Sequence, residues 1–172
     1  MDRIRLSSNK TNKNQKWISS NWGDVGLFVL DDGGTIENQD DDIYRWFTSF
    51  TVKNGDNSEV LSLNNINAIV EDKNGTVWIG TDQGPLLFYN ISDIFNADYN
   101  PSRVIIPKND GTGEGNYLLK EEQVKAIAID GANRKWLGTE SSGVYLMSEN
   151  GQETIHHFTT QNSPLSSNNI FS

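Results

Sequence analysis

His156 and His157 are the only imidazoles in this chain of 172 residues, and cysteine is absent. Neighbouring side chains on a strand leave opposite faces, so the two rings cannot easily ligate one metal. One is expected between packed layers and the other at solvent. Without cysteine there are no disulfides and no thiolate metal sites, and the compartment stays open. A nucleophile is equally unmarked, because Ser141-Ser142-Gly143 lacks the Gly-x-Ser-x-Gly elbow. Lys108-Asn109-Asp110-Gly111-Thr112-Gly113-Glu114-Gly115 has the glycines of a phosphate-binding turn. It has neither the Gly-Lys-Ser/Thr ending nor a following helical pattern, so it reads as a loop between strands. No catalytic, cofactor-binding or metal-ligating residue is assigned, and the expectation is a non-enzyme.

Two further features offer binding chemistry. The acidic stretch Asp31-Asp32-Gly33-Gly34 through Asp40-Asp41-Asp42 carries oxygen ligands of the kind Ca²⁺ takes. Its spacing is not that of an EF-hand, and a solvated hairpin loop is the preferred reading. Trp22, in Asn21-Trp22-Gly23-Asp24, is the best single candidate for a contact residue. An aromatic in a loop can stack on a sugar ring or a partner protein; packing over a sheet edge is the alternative. The net charge of −9 repels phosphate backbones and anionic bilayers, which argues against nucleic-acid and membrane-surface partners. No run of about 18 apolar residues is present to span a bilayer. Met1-Asp2-Arg3-Ile4-Arg5 lacks an apolar signal core. An exported protein would have lost its signal or would carry it upstream.

These residues sit on a repeat. Apolar residues make up 35% of the chain and glycine supplies 15 positions, a composition of short elements and many turns. Trp17, Trp78 and Trp136 mark the register, 61 and 58 residues apart, and each is followed by a Gly-led apolar run: Gly26-Leu27-Phe28-Val29, Gly84-Pro85-Leu86-Leu87 and Gly143-Val144-Tyr145-Leu146. Twelve positions before the second and third tryptophans stand Ile66-Asn67-Ala68-Ile69 and Val124-Lys125-Ala126-Ile127. Leu165-Ser166-Ser167-Asn168-Asn169-Ile170 echoes Leu61-Ser62-Leu63-Asn64-Asn65-Ile66. Asp72-Lys73-Asn74-Gly75 is a hairpin turn between the first two strands of its unit. Fourth strands are expected at Tyr44–Phe47, Arg103–Ile106 and Thr154–Phe158.

Four antiparallel strands repeated at this period predict an all-β fold, a β-propeller fragment of about three blades plus the first strand of a fourth. The blades would span about 4–50, 61–107 and 119–160, with a fourth begun at 165–172. An open solenoid-like arc is the alternative. Inner strands covered on both faces need not alternate, which suits Ala126-Ile127-Ala128-Ile129. Gly80 and Gly138 suit the crowding where blades converge, and the tryptophans supply apolar surface to the next blade. Insertions at 31–42 and 90–116 are expected on loops, often the functional face. Three blades cannot close alone, so the expected partner is the rest of a longer propeller or a second copy of this chain.

The motif Leu-x-x-Asn-x-Ile, then Gly-x-x-Trp-Ile-Gly-Thr, then Gly-Leu resembles the two-component-regulator propeller repeat of Bacteroidetes-type bacteria. In this motif Trp78, Gly80, Thr81, Trp136, Gly138 and Thr139 are its repeat residues. Residues 61–88 match it closely; residues 119–146 match with Ala132-Asn133-Arg134-Lys135 replacing the Asn-Gly turn. Trp17-Ile18-Ser19-Ser20 lacks the Gly-Thr pair. Within the group, Leu27–Thr35, Asp130–Trp136 and Glu140–Val144 are similar to the propeller component of the type IX secretion system. That resemblance implies an exported protein at the periplasm or outer-membrane surface, a non-catalytic scaffold assisting attachment of secreted proteins to lipopolysaccharide. Its partner would be a protein or a glycan. The alternative it implies is the periplasmic sensing domain of a hybrid two-component kinase that recognises carbohydrates.

Overall fold

A computed structural model of the chain describes residues 5–8, 12–20, 26–54, 57–108 and 115–171. Its named strands pair antiparallel throughout. The first sheet runs in chain order through β1 (Arg5–Ser8), β2 (Gln15–Ser20), β3 (Gly26–Asp31) and β4 (Ile43–Phe47). A separate hairpin follows, β5 (Ser49–Asn54) with β6 (Asn57–Ser62). The second sheet holds β7 (Ile66–Glu71), β8 (Val77–Thr81) and β9 (Gly84–Phe88). A short hairpin, β10 (Ile105–Pro107) with β11 (Gly115–Tyr117), leads to the third. That sheet is again a four-stranded meander: β12 (Val124–Ile129), β13 (Lys135–Thr139), β14 (Val144–Met147) and β15 (Thr154–Phe158).

Two expected strands differ. The segment near Arg103–Ile106 does not extend the second sheet; only Leu87 and Ser102 exchange hydrogen bonds there, at 2.9 and 2.8 Å. Pro85 stands two residues before Leu87, on the same edge of β9, and has no N–H to carry the ladder further. Ile105–Pro107 pairs with Gly115–Tyr117 instead. Nor does Leu165–Phe171 form a strand. The Gly143 N–H donates to the Asn168 carbonyl and the Ile170 N–H to the Thr139 carbonyl, both at 2.9 Å, and these two bonds hold the segment against the third sheet. The same first contact is made one unit earlier, where the Gly84 N–H donates to the Glu122 carbonyl.

The sheets stack face to face over two cores. Trp17, Leu27, Val29 and Phe47 of the first sheet meet Val77, Ile79, Leu86 and Phe88 of the second. Trp17 packs edge-on against Phe88 with ring centroids 5.2 Å apart. Phe50, Val52 and Leu61 of the β5–β6 hairpin and Ile91 and Ile94 of the 90–102 insertion join this core. Trp78 and Leu87 lie in the other core, with Val104, Leu118, Val124, Leu137 and Met147. Thus β8 gives Val77 and Ile79 to one core and Trp78 to the other, and all five of its residues are buried. A strand covered on both faces reads as continuous apolar sequence for that reason.

The repeat residues explain themselves locally. Asp72, six residues before Trp78, accepts the Asn74 and Thr76 N–H groups on Oδ1 and the Trp78 indole N–H on Oδ2 at 3.1 Å. Asp130 does the same for Ala132, Arg134 and Trp136. In the first unit the sequence has Thr11 at that position, and the Trp17 indole nitrogen is buried with no hydrogen-bond partner among the described residues. Asn133 takes the left-handed turn conformation (φ 60°) that Gly75 takes in the second unit, which is how Ala132-Asn133 replaces the Asn-Gly turn. Thr81 and Thr139 donate to the Gly84 and Gly143 carbonyls at 2.7 and 3.0 Å, tying the next turn. A Cβ on Gly80 would lie 2.7 Å from the Val124 carbonyl, so glycine is required where the third sheet crosses β8.

Candidate functional site

A cleft lies between the second and third sheets, on the side of their β7–β8 and β14–β15 turns. Its volume is about 930 Å³. Asp72, Asn74, Thr76, Trp78, Tyr89 and Pro107 form one wall, and Ser148, Glu149, Asn150, Gln152 and Glu153 the other. Gly151 brings the second wall in: it has φ 75°, and a Cβ there would fall 2.8 Å from Cη2 of Trp78.

Beneath the cleft lies a buried cation. Lys135 has no exposed side-chain surface, and its ammonium sits 2.9 Å from Oδ2 of Asp72 and 5.1 Å from the Trp78 ring centroid. It also donates to the Asn133 and Glu149 carbonyls at 2.8 and 2.5 Å. Oε1 of Glu149 accepts the side-chain amides of Asn74 and Asn133 at 2.9 and 3.0 Å, joining the turns of two sheets. Burial opposes the Asp72 charge, but Lys135 and the Thr76 and Asn74 N–H groups outweigh it and hold the carboxyl below its usual range. The two amides hold Glu149 low in the same way. Burial, reinforced by the Asp72 charge, raises the Tyr89 phenol.

Tyr89 is 48% exposed and presents an aromatic surface beside amide and carboxylate groups. The Ser148 hydroxyl donates to the Asn150 amide oxygen at 2.8 Å, not to a base. A preformed cleft of this size with convergent polar groups is of the kind that holds a small ligand or one segment of a larger one.

Other candidates fall elsewhere. Trp22 lies outside the described residues, as do positions 109–114 of the glycine-containing loop. Three aspartates of the acidic stretch have partners in the structure. Asp32 pairs with Lys16 and accepts the Gly34 N–H, Asp31 accepts the Gly33 N–H, and Asp41 accepts the Thr35 hydroxyl. Among the described residues no group of three or more His, Asp or Glu is placed to hold a metal ion. The histidines take opposite faces of β15: His157 stacks on Tyr145 at 3.9 Å with Nε2 2.6 Å from the Ser142 carbonyl, and His156 is exposed. The 90–102 insertion seals the edge of the first joint, where the Arg45 guanidinium donates to the Ile94, Asn96 and Ala97 carbonyls.

Tyr89, Asn74, Glu149 and Gln152 were not singled out from the sequence. Tyr89 reads as the end of an apolar run and Asn74 as a turn residue. The cleft joins segments 75 residues apart, and only the stacking of the sheets brings them together.

Residues 60–83 match the model of the two component regulator propeller. No curated protein matches the chain. Among solved structures, the chain is similar over 99% of its length to PorZ of Porphyromonas gingivalis, an essential bacterial surface component of the type-IX secretion system. The TM-score is 0.82, the identity 28%, and 23% of that chain is covered. It is also similar to the extracellular domains of two putative hybrid two component systems of B. thetaiotaomicron. The TM-scores are 0.62 and 0.55, the identities 20% and 16%, with 99% and 95% of this chain and 21% and 17% of those chains covered. The chain therefore spans about a fifth of the length of the structures it matches.

Proposed function

We propose that this chain is a non-catalytic binding and scaffold part of an exported, cell-surface propeller protein of a type IX secretion apparatus. In this reading it assists attachment of secreted proteins to lipopolysaccharide by holding a glycan, or a protein that carries one, in the cleft between the second and third sheets. The observation that carries the reading is the likeness to PorZ over nearly the whole chain, at higher identity and TM-score than the two sensor domains. The cleft supplies what a sugar needs: an exposed aromatic face at Tyr89 and hydrogen-bonding side chains at Asn74, Asn150 and Gln152.

The charge of the site limits how a lipopolysaccharide is held. Asp72, Glu149 and Glu153 in the cleft and a net charge of −9 repel phosphate, so contact runs through sugar hydroxyls. Added salt should then strengthen binding or leave it unchanged, the reverse of a basic phosphate site. The second reading, a carbohydrate-sensing domain of a hybrid two-component system, is favoured by the repeat match over residues 60–83.

Titrating the chain with lipopolysaccharide and with neutral linear oligosaccharides separates the two. Salt-tolerant binding of lipopolysaccharide, weakened about tenfold or more by Tyr89→Ala (about 1.4 kcal/mol), is the expected result. Binding of the neutral oligosaccharides alone would favour the sensor. Binding that ignores Tyr89→Ala would remove the cleft from either account.

A further inference from the structure

The second and third sheets are tied at one acceptor inside the chain. Oε1 of Glu149 takes the side-chain amides of Asn74 and Asn133 at 2.9 and 3.0 Å. The two amides come from matching turns, 72–76 and 130–134, but the residues after them differ: Gly75 follows Asn74, and Arg134 follows Asn133. An asparagine before glycine is open to attack by the next backbone nitrogen, because no Cβ shields that nitrogen. The side chain of Arg134 shields the nitrogen after Asn133. A second Asn-Gly pair, Asn150-Gly151, stands on the opposite wall of the same cleft.

We infer that Asn74 is a self-modifying site, where spontaneous deamidation cuts the tie between the second and third sheets. The Gly75 nitrogen gives up its proton to hydroxide or a buffer base and attacks Cγ of Asn74. A C–N bond forms, and the side-chain nitrogen leaves as ammonia, closing a cyclic imide. Water then opens the ring at either carbonyl and leaves aspartate or isoaspartate, with no redox step.

The fold sets the rate. Asn74 is exposed and Gly75 half-buried, so water and base reach both. The Gly75 N–H donates to the Asp72 carbonyl at 3.2 Å, however, and Glu149 holds the side-chain amide. Reaction therefore waits for the turn to open. Asn150 is held more firmly. Its amide oxygen accepts the Ser148 hydroxyl and the Gln152 N–H, its nitrogen donates to Oε1 of Gln152, and Gly151 is buried.

The product undoes the joint. An oxygen replaces the donor nitrogen and faces the Glu149 carboxylate, so a hydrogen bond becomes a like-charge contact. Isoaspartate also adds a methylene to the backbone of the turn whose Asn74 and Thr76 N–H groups Asp72 accepts. Asp72 is in turn the partner of the buried Lys135. Nothing in this chemistry depends on which ligand the cleft takes.

Peptide mapping by mass spectrometry, on purified chain kept warm at mildly alkaline pH, tests this. Mapping is needed because Asn54-Gly55 is a third such pair in the sequence. Asn74 should convert ahead of Asn150, with Asn133 unchanged. In urea strong enough to unfold the chain, Asn74 and Asn150 should convert at similar rates, both faster than in the folded chain. Glu149→Ala should speed Asn74 in the folded chain about tenfold, the effect of removing one hydrogen bond to a charged group. The converted protein, and Asn74→Asp as its stand-in, should unfold at lower urea than the wild type. If Glu149→Ala does not fold, the comparison of folded with unfolded wild type decides alone. Asn74 intact in the folded chain after the unfolded chain has converted, or Asn150 or Asn133 converting first, would overturn the assignment. So would an unchanged rate in folded Glu149→Ala, or an Asn74→Asp chain as stable as the wild type.

Discussion

Replacing Lys135 by methionine should cost about 3 kcal/mol of stability, at the low end of the cost of breaking a buried ion pair. Its side chain is fully buried and that of Asp72 keeps 4% of its surface. Methionine fills much of the lysine volume but satisfies none of the three acceptors now held at 2.9, 2.8 and 2.5 Å. The Asp72 carboxylate is left charged in a site walled by Trp78. Three remaining donors, the Asn74 and Thr76 N–H groups and the Trp78 indole, keep the loss at the lower figure. Asp72→Asn should cost a similar amount, because it strands the ammonium. The double variant removes both charges and should cost little more than either single one, a coupling of about 2–3 kcal/mol. Urea unfolding followed by tryptophan fluorescence reads all four proteins, with an unchanged slope required for the comparison. Additive single costs, or a Lys135→Met variant within about 0.5 kcal/mol of the wild type, would refute the view that this pair latches the second sheet to the third.

Acid should weaken the fold through the two turn aspartates. Burial opposes the Asp130 charge, but the Arg134 N–H and guanidinium, the Ala132 N–H and the Trp136 indole lower its carboxyl from 3.8 to about 2. A carboxyl depressed in the folded state contributes stability above its ordinary value, and that contribution is lost as pH falls through the folded value. Asp130→Asn should therefore flatten the fall in urea midpoint between pH 3.8 and about 2; an unaltered acid slope would count against this assignment. The repeat glycines should differ in cost. A methyl on Gly80 meets the Val124 backbone at 2.7 Å and should cost about 1–3 kcal/mol. On Gly138 its closest contact is the Ile170 side chain, at 2.6 Å, which can lift away where the Val124 backbone cannot, so thermal melts should show a smaller loss. Equal losses would mean that the third sheet does not press on β8 as described.

Much of the fold is legible in the residues because it is local chemistry repeated. The Asp-to-Trp spacing, the tight turns and the Trp-Ile-Gly-Thr run each act within a dozen residues, and β4 and β15 stand where their patterns place them. The β5–β6 hairpin carried a readable signal as well, Asn54-Gly55 between Phe50, Val52 and Val60, Leu61. The missing fourth strand of the second sheet turned on Pro85, whose absent N–H matters only once its edge is known to face outward. The cleft was not legible at all. Asn74 and Glu149 carry no local mark of meeting, and no spacing along the chain predicts that Lys135 reaches back to Asp72 of the preceding sheet. By itself the sequence determines a repeated antiparallel β-unit, an acidic surface and the residues that close each turn, since hydrogen bonds within a hairpin depend on neighbours in the chain. The tertiary structure alone decides which turns of successive sheets stand together and which core each tryptophan enters. Those contacts depend on how the sheets stack, and stacking is set by apolar burial summed over whole faces rather than by any one motif.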